Sequence, residues 1–166
     1  MSDSQPTLVA VCGLPGVGKS TVSSYVTEVV DGVRLRSDAV RNELFEEPPY
    51  TEDSRNRVYD ELFDRASELL ADGESVVVDA TFRERERRLV AREVADTADA
   101  GFRLLHVVCE RELVEKRIAA REDISDADVE VYRNFRREFE PVELDHGRVD
   151  NSGSLLQTRE RVESLF

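Results

Sequence analysis

The sequence predicts an α/β fold in which helices cover both faces of a parallel sheet. Short apolar runs alternate with stretches of helical periodicity, the pattern of strands joined by crossover helices. Strands of this kind are mainly apolar on both faces, because helices cover both sides of their sheet. They comprise residues 8–12, 33–35, 75–79, 103–109 and a short run around Val149.

The helical stretches between these runs have recognisable ends. Pro48-Pro49 should end the second helix, because proline cannot donate a backbone hydrogen bond, and Gly73 should end the third. Ser154 and Gln157 have the spacing of a capping box that begins the last helix. The predicted helices are 19–30, a short one after Asp38, 53–71, 84–98, 112–121, 125–139 and 154–166.

Length and composition favour one domain over residues 1–166. A chain of 166 residues with 40% hydrophobic composition can bury one sizeable core but not two. No apolar run approaches the roughly 20 residues that span a bilayer, and the N-terminus lacks the features of a signal peptide. We therefore expect a cytoplasmic protein with no membrane partner, in which Cys12 and Cys109 stay reduced. The sequence does not indicate an oligomeric state.

The chain is strongly acidic. Its net charge of −13 argues against broad nucleic-acid binding, which requires basic surface to neutralise phosphates. Lys19 and Lys116 are the only lysines, and all other basic side chains apart from two histidines are arginines. Salt would screen the self-repulsion of such a surface, so one hypothesis is a protein adapted to a saline cytoplasm. The alternative is an ordinary acidic surface.

The most specific motif is the run from Gly13 to Ser20, GLPGVGKS, which matches the P-loop pattern G-x-x-x-x-G-K-[ST]. It follows an apolar strand and precedes a helix, so backbone N–H groups and the helix N-terminus can face phosphate oxygens. We expect Lys19 to reach the β- and γ-phosphates of ATP and the Ser20 hydroxyl to ligate Mg²⁺. The predicted nucleotide-binding residues are Gly13, Gly16, Val17, Gly18, Lys19, Ser20 and Thr21. The alternative is a glycine-rich turn without a ligand.

A second ligand for the metal should lie at the end of a neighbouring strand. Asp79 ends the run Val76 to Asp79, where its carboxylate could hold Mg²⁺ or the water around it. The alternative is that Asp79 caps the helix that begins near Arg83.

Other classes of P-loop protein fit less well. Neither lysine belongs to the N-K-x-D motif of Ras-type GTPases, and a ring-forming ATPase needs a longer chain. A compact kinase remains, in which an acidic group orients the acceptor hydroxyl. Asp38 follows the second strand and is our candidate, with a helix N-cap as the alternative. Arg41, three residues later, could steer an anionic acceptor or simply be solvated.

A mobile arginine-bearing segment is expected around residues 117–128. Arg117 and Arg121 lie one helical turn apart, before a break in the helical pattern, and could bring positive charge to the transferring group. We interpret the segment as a lid. The alternative is a surface helix paired with Glu115 and Glu122. Three weaker candidates follow: Arg133, Arg136 and Arg137.

These residues together resemble a known group. The P-loop, Arg36-Ser37-Asp38 with Arg41, the segment 76–81, and Arg117 with Arg121 resemble P-loop kinases of the polynucleotide 5′-kinase, gluconate kinase, chloramphenicol phosphotransferase and zeta-toxin type. More narrowly, the chain is similar to small ATP-binding proteins that are also found fused to aminoglycoside-phosphotransferase-like domains.

This resemblance implies a three-layer fold with strand order 2-3-1-4-5, ATP with Mg²⁺, and an aspartate that positions the acceptor. It implies that Asp38, Arg41 and Thr81 contact the acceptor, that Ser20 and Asp79 hold the metal, and that Lys19, Asp38, Arg117 and Arg121 are catalytic. The segment 149–152 corresponds to the loop beside the adenine. The segment 46–57 matches no substrate-defining pattern, so the acceptor stays open.

The remaining polar and aromatic candidates carry weaker signals. His106 and His146 have no zinc-ligand partners at suitable spacing, so we expect core or loop histidines. Tyr50, Tyr59 and Phe63 could line an acceptor pocket or pack in the core. The leading hypothesis is an ATP-dependent kinase acting on a hydroxyl of a small molecule or a nucleic-acid 5′ end. The alternatives are an ATP-binding regulator or slow ATPase, and a toxin-like kinase paired with an inhibitor.

Overall fold

The computed structural model describes residues 5–46, 51–120 and 126–166. The strands are β1 (Thr7–Cys12), β2 (Val33–Arg36), β3 (Val76–Asp79), β4 (Gly101–Val108) and β5 (Gly147–Asp150). The helices are α1 (Lys19–Val30), α2 (Ser37–Leu44), α3 (Glu52–Ala71), α4 (Arg85–Thr97), α5 (Arg111–Ala119), α6 (Asp126–Glu138) and α7 (Leu155–Ser164).

All five strands form one parallel sheet in the order β2-β3-β1-β4-β5. The α/β fold and the strand order implied by the resemblance are confirmed. Because β1 lies at the centre and its parallel neighbours end at the same edge, the loops after β1, β2 and β3 meet there. The sheet thus brings together segments that are far apart in the chain.

The core lies on both faces of the sheet. Alternate residues of β1 enter two separate clusters, one under α2, α3 and α4 and the other under α1, α5, α6 and α7. Leu8 and Ala10 belong to the first cluster, while Val9 and Val11 belong to the second, as the period of a strand requires. This accounts for the continuous apolar composition of the run 8–12.

The helix ends agree with the sequence in most places. Ser154 and Gln157 form the predicted capping box, in which Ser154 Oγ accepts from Gln157 N at 3.2 Å. The second helix differs, because α2 already ends at Leu44 and its N-cap is Arg36, not Asp38. Pro48-Pro49 lie outside the described residues.

One arginine is completely buried. Arg88 on α4 has no exposed surface, yet it has no carboxylate partner within the described part of the chain. Its guanidinium instead donates to four backbone carbonyl oxygens, those of Phe82 at 2.7 Å, Glu140 at 2.8 Å, Pro141 at 3.0 Å and Arg83 at 3.2 Å. The side chain therefore joins the β3–α4 loop to the chain that leaves α6.

Candidate active site

The P-loop connects β1 to α1 and passes very close to its neighbours. A Cβ atom at Gly13 would lie 2.6 Å from the carbonyl oxygen of Val107, and one at Gly18 would overlap the side-chain amide of Asn151. Gly18 also has a left-handed backbone with φ of 94°. Glycine is required at both positions, because any larger residue would force the loop away from the sheet.

Lys19 folds back over this loop. Its Nζ donates to the carbonyl oxygen of Leu14 at 3.0 Å. Burial lowers the pKa of Lys19, while the charges of Asp79 and Asp38 act in the opposite direction. Lys19 is therefore close enough to two carboxylates for their charges to act on it: that of Asp79 at the end of β3 and that of Asp38 in the first turn of α2.

Asp79 ends β3 and is 6% exposed. Its Oδ2 accepts from the Ser23 hydroxyl on α1 at 2.8 Å, which fixes the carboxylate against the P-loop helix. The cap of α4 is Glu84, so the alternative interpretation of Asp79 as a helix cap does not apply.

The Ser20 hydroxyl is approached by an arginine that the sequence reasoning did not select. Arg36 on β2 donates from Nη2 to Ser20 Oγ at 3.1 Å, and Arg34 donates from Nη1 to the Ser20 carbonyl oxygen at 3.0 Å. The signal was present as alternating arginines in a strand, since residues two apart share one face. Both guanidinium groups are aimed at the start of α1.

The donor set near the P-loop is suitable for Mg²⁺. The Ser20 hydroxyl and the Asp79 carboxylate offer hard oxygen ligands, which Mg²⁺ prefers. No group of three or more His, Cys, Asp or Glu side chains suited to a metal occurs in residues 5–46, 51–120 and 126–166. Since Mg²⁺ is commonly held by one or two protein ligands together with phosphates and water, this pair fits a metal that arrives with a nucleotide.

Asp38 and Arg41 lie on α2 beside the P-loop. Asp38 is exposed in the first turn and Arg41 is half-buried one turn later. Because Arg36 is the N-cap, Asp38 is not needed to cap the helix. Its carboxylate is exposed just after the end of β2, and its role in orienting an acceptor stays a prediction.

Thr81 links the P-loop to the β3–α4 segment. Its carbonyl oxygen accepts from Gly13 N at 3.2 Å, and its hydroxyl lies 3.5 Å from the Tyr59 hydroxyl. Phe82 N donates to Tyr59 Oη at 3.0 Å, so the Tyr59 proton can be donated to Thr81. Tyr59 also packs against the rings of Phe63 and Phe82, so the expected packing in the core is confirmed, while its role in an acceptor pocket stays a prediction. Tyr50 lies outside the described residues.

The β5–α7 loop contacts the other side of the P-loop. Asn151 is 5% exposed and donates from Nδ2 to the Val17 carbonyl oxygen at 3.0 Å. The Thr158 hydroxyl donates to Asn151 Oδ1 at 2.7 Å, which orients the amide. The resemblance implies that residues 149–152 border the adenine, which stays a prediction, and it did not indicate this contact with the P-loop backbone.

Arg117 on α5 is directed toward the same loop. It donates from Nη2 to the Asn151 carbonyl oxygen at 3.3 Å and lies 3.6 Å from Cys109 Sγ. Arg121 lies outside the described residues, so the lid and its second arginine stay predictions. Arg133 pairs with Glu115 at 2.9 Å, which is the surface arrangement considered as an alternative for this region.

The two histidines lie near each other at the end of the core. His106 stacks on Phe139 with ring centroids 5.4 Å apart, and His146 lies at 6.0 Å from His106. Burial lowers the pKa of His106 to about 4, and the nearby His146 and Arg88 act in the same direction. His106 is thus a neutral side chain packed at the end of the core.

Comparison with known proteins supports the assignment of the fold. The chain superposes on a gluconokinase from Sinorhizobium meliloti with a TM-score of 0.76 and 22% identity, covering 96% of this chain and 91% of that one. It also superposes on the APS kinase of Mycobacterium tuberculosis, solved with AMPPNP and APS, with a TM-score of 0.76, 20% identity and 97% coverage of both chains. No described helix is long and apolar enough to cross a membrane.

Sequence comparison identifies the family. The chain is 30% identical, over 88% of its length, to uncharacterized proteins of Mycobacterium bovis and Mycobacterium tuberculosis. It spans about a third of the length of these relatives, 32% of each. The family model described as an AAA domain matches residues 8–142. The chain therefore belongs to this AAA domain family, and its fold is that of the P-loop kinases.

Proposed function

We propose that this chain is an ATP- and Mg²⁺-dependent phosphotransferase that moves the γ-phosphate to a hydroxyl group of an acceptor. The observation that carries the proposal is the arrangement at the start of α1, where the P-loop that contains Lys19 follows the central strand and the Asp79 carboxylate is fixed against α1 by Ser23 at 2.8 Å. A half-buried lysine beside two carboxylates, at the end of a glycine-rich loop, has the composition of a phosphoryl-transfer site. The kinases among the structural neighbours support the same reaction class.

Each residue has a distinct part in the proposed reaction. The loop N–H groups from Gly13 to Thr21 bind the phosphates, and Lys19 stabilises negative charge on the transferring group. Bound Mg²⁺ would neutralise phosphate charge, held by Ser20 and Asp79. Asp38 accepts the proton of the acceptor hydroxyl as its oxygen bonds to the γ-phosphorus and the bond to the β-phosphate oxygen breaks.

The remaining residues would orient and enclose the reactants. Arg41 and Thr81 would contact the acceptor, since they lie beside Asp38 on α2 and beside the P-loop, respectively. Arg117 and Arg121 would close over the phosphates and exclude water. Arg117 already contacts the loop that borders the P-loop, through Asn151.

The proposal is tested by ADP release from Mg-ATP, with and without sugars, nucleosides, aminoglycosides and 5′-hydroxyl oligonucleotides. We expect one class to stimulate release strongly. Replacing Asp38 by Asn should reduce the stimulated rate by about 100-fold or more while ATP affinity stays within about twofold, because general-base catalysis contributes roughly 10²–10⁴-fold. Tight ATP binding without stimulation by any acceptor would instead indicate an ATP-binding regulator or a slow ATPase.

A further inference from the structure

A small pocket lies next to the P-loop on the side of β3 and α4. Thr81 forms part of its wall, and the Thr81 carbonyl oxygen accepts from Gly13 N at 3.2 Å, so pocket and P-loop are joined by one hydrogen bond. The lining residues are Arg55, Tyr59, Thr81, Arg83, Glu84 and Arg87. Three of the six are arginines, in a chain whose net charge is −13.

The three arginines are not equivalent. Arg83 is compensated, because it pairs with Glu138 at 2.5 Å and approaches Glu84 at 3.7 Å. Arg55 and Arg87 form no ion pair with a carboxylate in the described part of the chain. The pocket therefore has an excess of two positive charges after Glu84 and Arg83 offset each other.

Arg87 is also held in position. Its guanidinium lies over the Tyr59 ring, 4.7 Å from the centroid, and donates to the side-chain oxygen of Asn56. Such contacts reduce the entropy lost when a guanidinium binds a ligand. Arg55 is half-buried on α3, on the opposite wall from α4.

We propose that Arg55 and Arg87 bind a carboxylate or phosphate group of the acceptor, so that the acceptor is a small anionic hydroxyl compound. This inference rests on the proposed phosphotransferase function and specifies its substrate class. Guanidinium groups match the planar or tetrahedral oxygens of such anions through paired hydrogen bonds. The hydroxyls of Thr81 and Tyr59 add neutral polar contacts on the side nearest the P-loop.

The first experiment measures anion binding without turnover. The full chain, saturated with Mg-ADP so that the P-loop is filled, is titrated with inorganic phosphate by calorimetry. We expect Arg55→Gln and Arg87→Gln each to weaken phosphate binding by roughly ten- to hundredfold, as expected for a charged hydrogen-bonding partner. Arg87→Lys should recover part of the loss because it restores the charge. The matched control is Arg92→Gln, an exposed arginine on the same helix.

The second experiment measures ADP release with acceptors matched in pairs, ribose against ribose 5-phosphate and glucose against gluconate. We expect the anionic member of a pair to have a KM at least about tenfold lower, and Arg87→Gln to abolish that preference by raising KM with little change in kcat. Circular dichroism and melting of each variant separate a binding defect from a folding defect.

The outcomes distinguish the two proposals. Phosphate binding that is unchanged in both Gln variants, or neutral acceptors that serve as well as anionic ones, would overturn the anionic pocket while leaving the kinase intact. Arginine-dependent phosphate binding without any acceptor-stimulated ADP release would support the pocket and contradict the phosphotransferase.

Discussion

The P-loop and the arginine-lined pocket are one hydrogen bond apart, yet they are held in place by different means. The P-loop is shaped by its own backbone, by the close approach of β4 at Gly13 and of Asn151 at Gly18, and by one neutral hydrogen bond from Asn151. The pocket is formed by side chains of α3, of α4 and of the loop before α4, and Arg87 lies over the Tyr59 ring and donates to Asn56 on α3. A binding site made of backbone is fixed by a short stretch of sequence, whereas one made of side chains depends on how separate helices pack.

The largest effect should come from a substitution in the P-loop. Replacing Lys19 by Ala removes the only cation of the P-loop itself, and we expect acceptor-stimulated turnover to fall about 1,000-fold or more, comparable to the loss of a principal electrostatic contact in other enzymes. The chain offers a matched control, because its other lysine, Lys116, is exposed on α5. Lys116→Ala should be within about twofold of the wild type. Unimpaired turnover of Lys19→Ala would contradict the assignment of the P-loop.

The next largest effect should come from replacing Arg88 with Met, because Arg88 holds the β3–α4 loop, which forms part of the wall of the arginine-lined pocket. The substitution removes the donor from the buried carbonyl oxygen of Phe82 and also removes the hydrogen bond to Pro141. We expect the free energy of unfolding to fall by about 3–5 kcal/mol, because several hydrogen bonds from a charged group, each contributing about 1.5–3 kcal/mol, are lost together. Urea unfolding measures the loss, with Arg92→Met on the exposed face of α4 as control.

The Arg88→Met variant also tests whether the P-loop and the arginine-lined pocket are held in place independently of each other. Under conditions in which it is still folded, its ATP affinity should be within about threefold of the wild type, because no Arg88 hydrogen bond reaches the P-loop. A fall in the free energy of unfolding of less than about 1 kcal/mol would contradict the structural role assigned to Arg88. A large loss of ATP affinity in the folded variant would show that the P-loop and the arginine-lined pocket are not held in place independently.

The smallest expected effect is a loss of folding stability at acidic pH. Burial holds the pKa of His106 at about 4, below the ordinary value of 6.5, so the unfolded chain binds a proton that the folded chain does not. Stability from this residue is fully present above pH 6.5 and is lost as the pH falls toward 4. At pH 5 the loss should be about 1–2 kcal/mol.

The measurement is the melting temperature of wild type and His106→Gln between pH 7 and pH 4.5. We expect the melting temperature of the variant to fall less steeply with decreasing pH than that of the wild type. Phe139, which His106 and Arg88 both contact, is unchanged in both proteins. An equal dependence of the melting temperature on pH in the two proteins would indicate that His106 does not titrate with a lowered pKa.

The same contrast explains what could be predicted from the sequence. The strand order was predicted from a resemblance. Lys19, Ser20 and Asp79 were selected as site residues from a contiguous motif and from a strand end, because the local backbone determines where these residues lie. The contact between Arg36 and Ser20 joins residues 16 apart on two elements, so the P-loop motif did not indicate it. The alternating arginines of β2 were the available signal.

The arginine-lined pocket, which we propose binds the acceptor, could not be predicted from sequence patterns. Tyr59 was considered for it, but Arg55 and Arg87 were not, because their shared role depends on the packing of α3 against α4. The exposed flank of an amphipathic helix looks the same in sequence whether it faces solvent or a neighbouring element. The helix ends were predicted more closely because a cap such as Ser154 is local chemistry.

The buried guanidinium of Arg88 has a consequence for a chain whose Cys12 and Cys109 are both free thiols. It joins Phe82 to Pro141, and so closes a long loop that contains α4, β4, α5 and α6. A closed loop of this size is what a disulfide would create, with the entropy cost of closure rising only slowly with its length. Arg88 thus acts as a non-covalent cross-link, and unlike a disulfide it is indifferent to reductant.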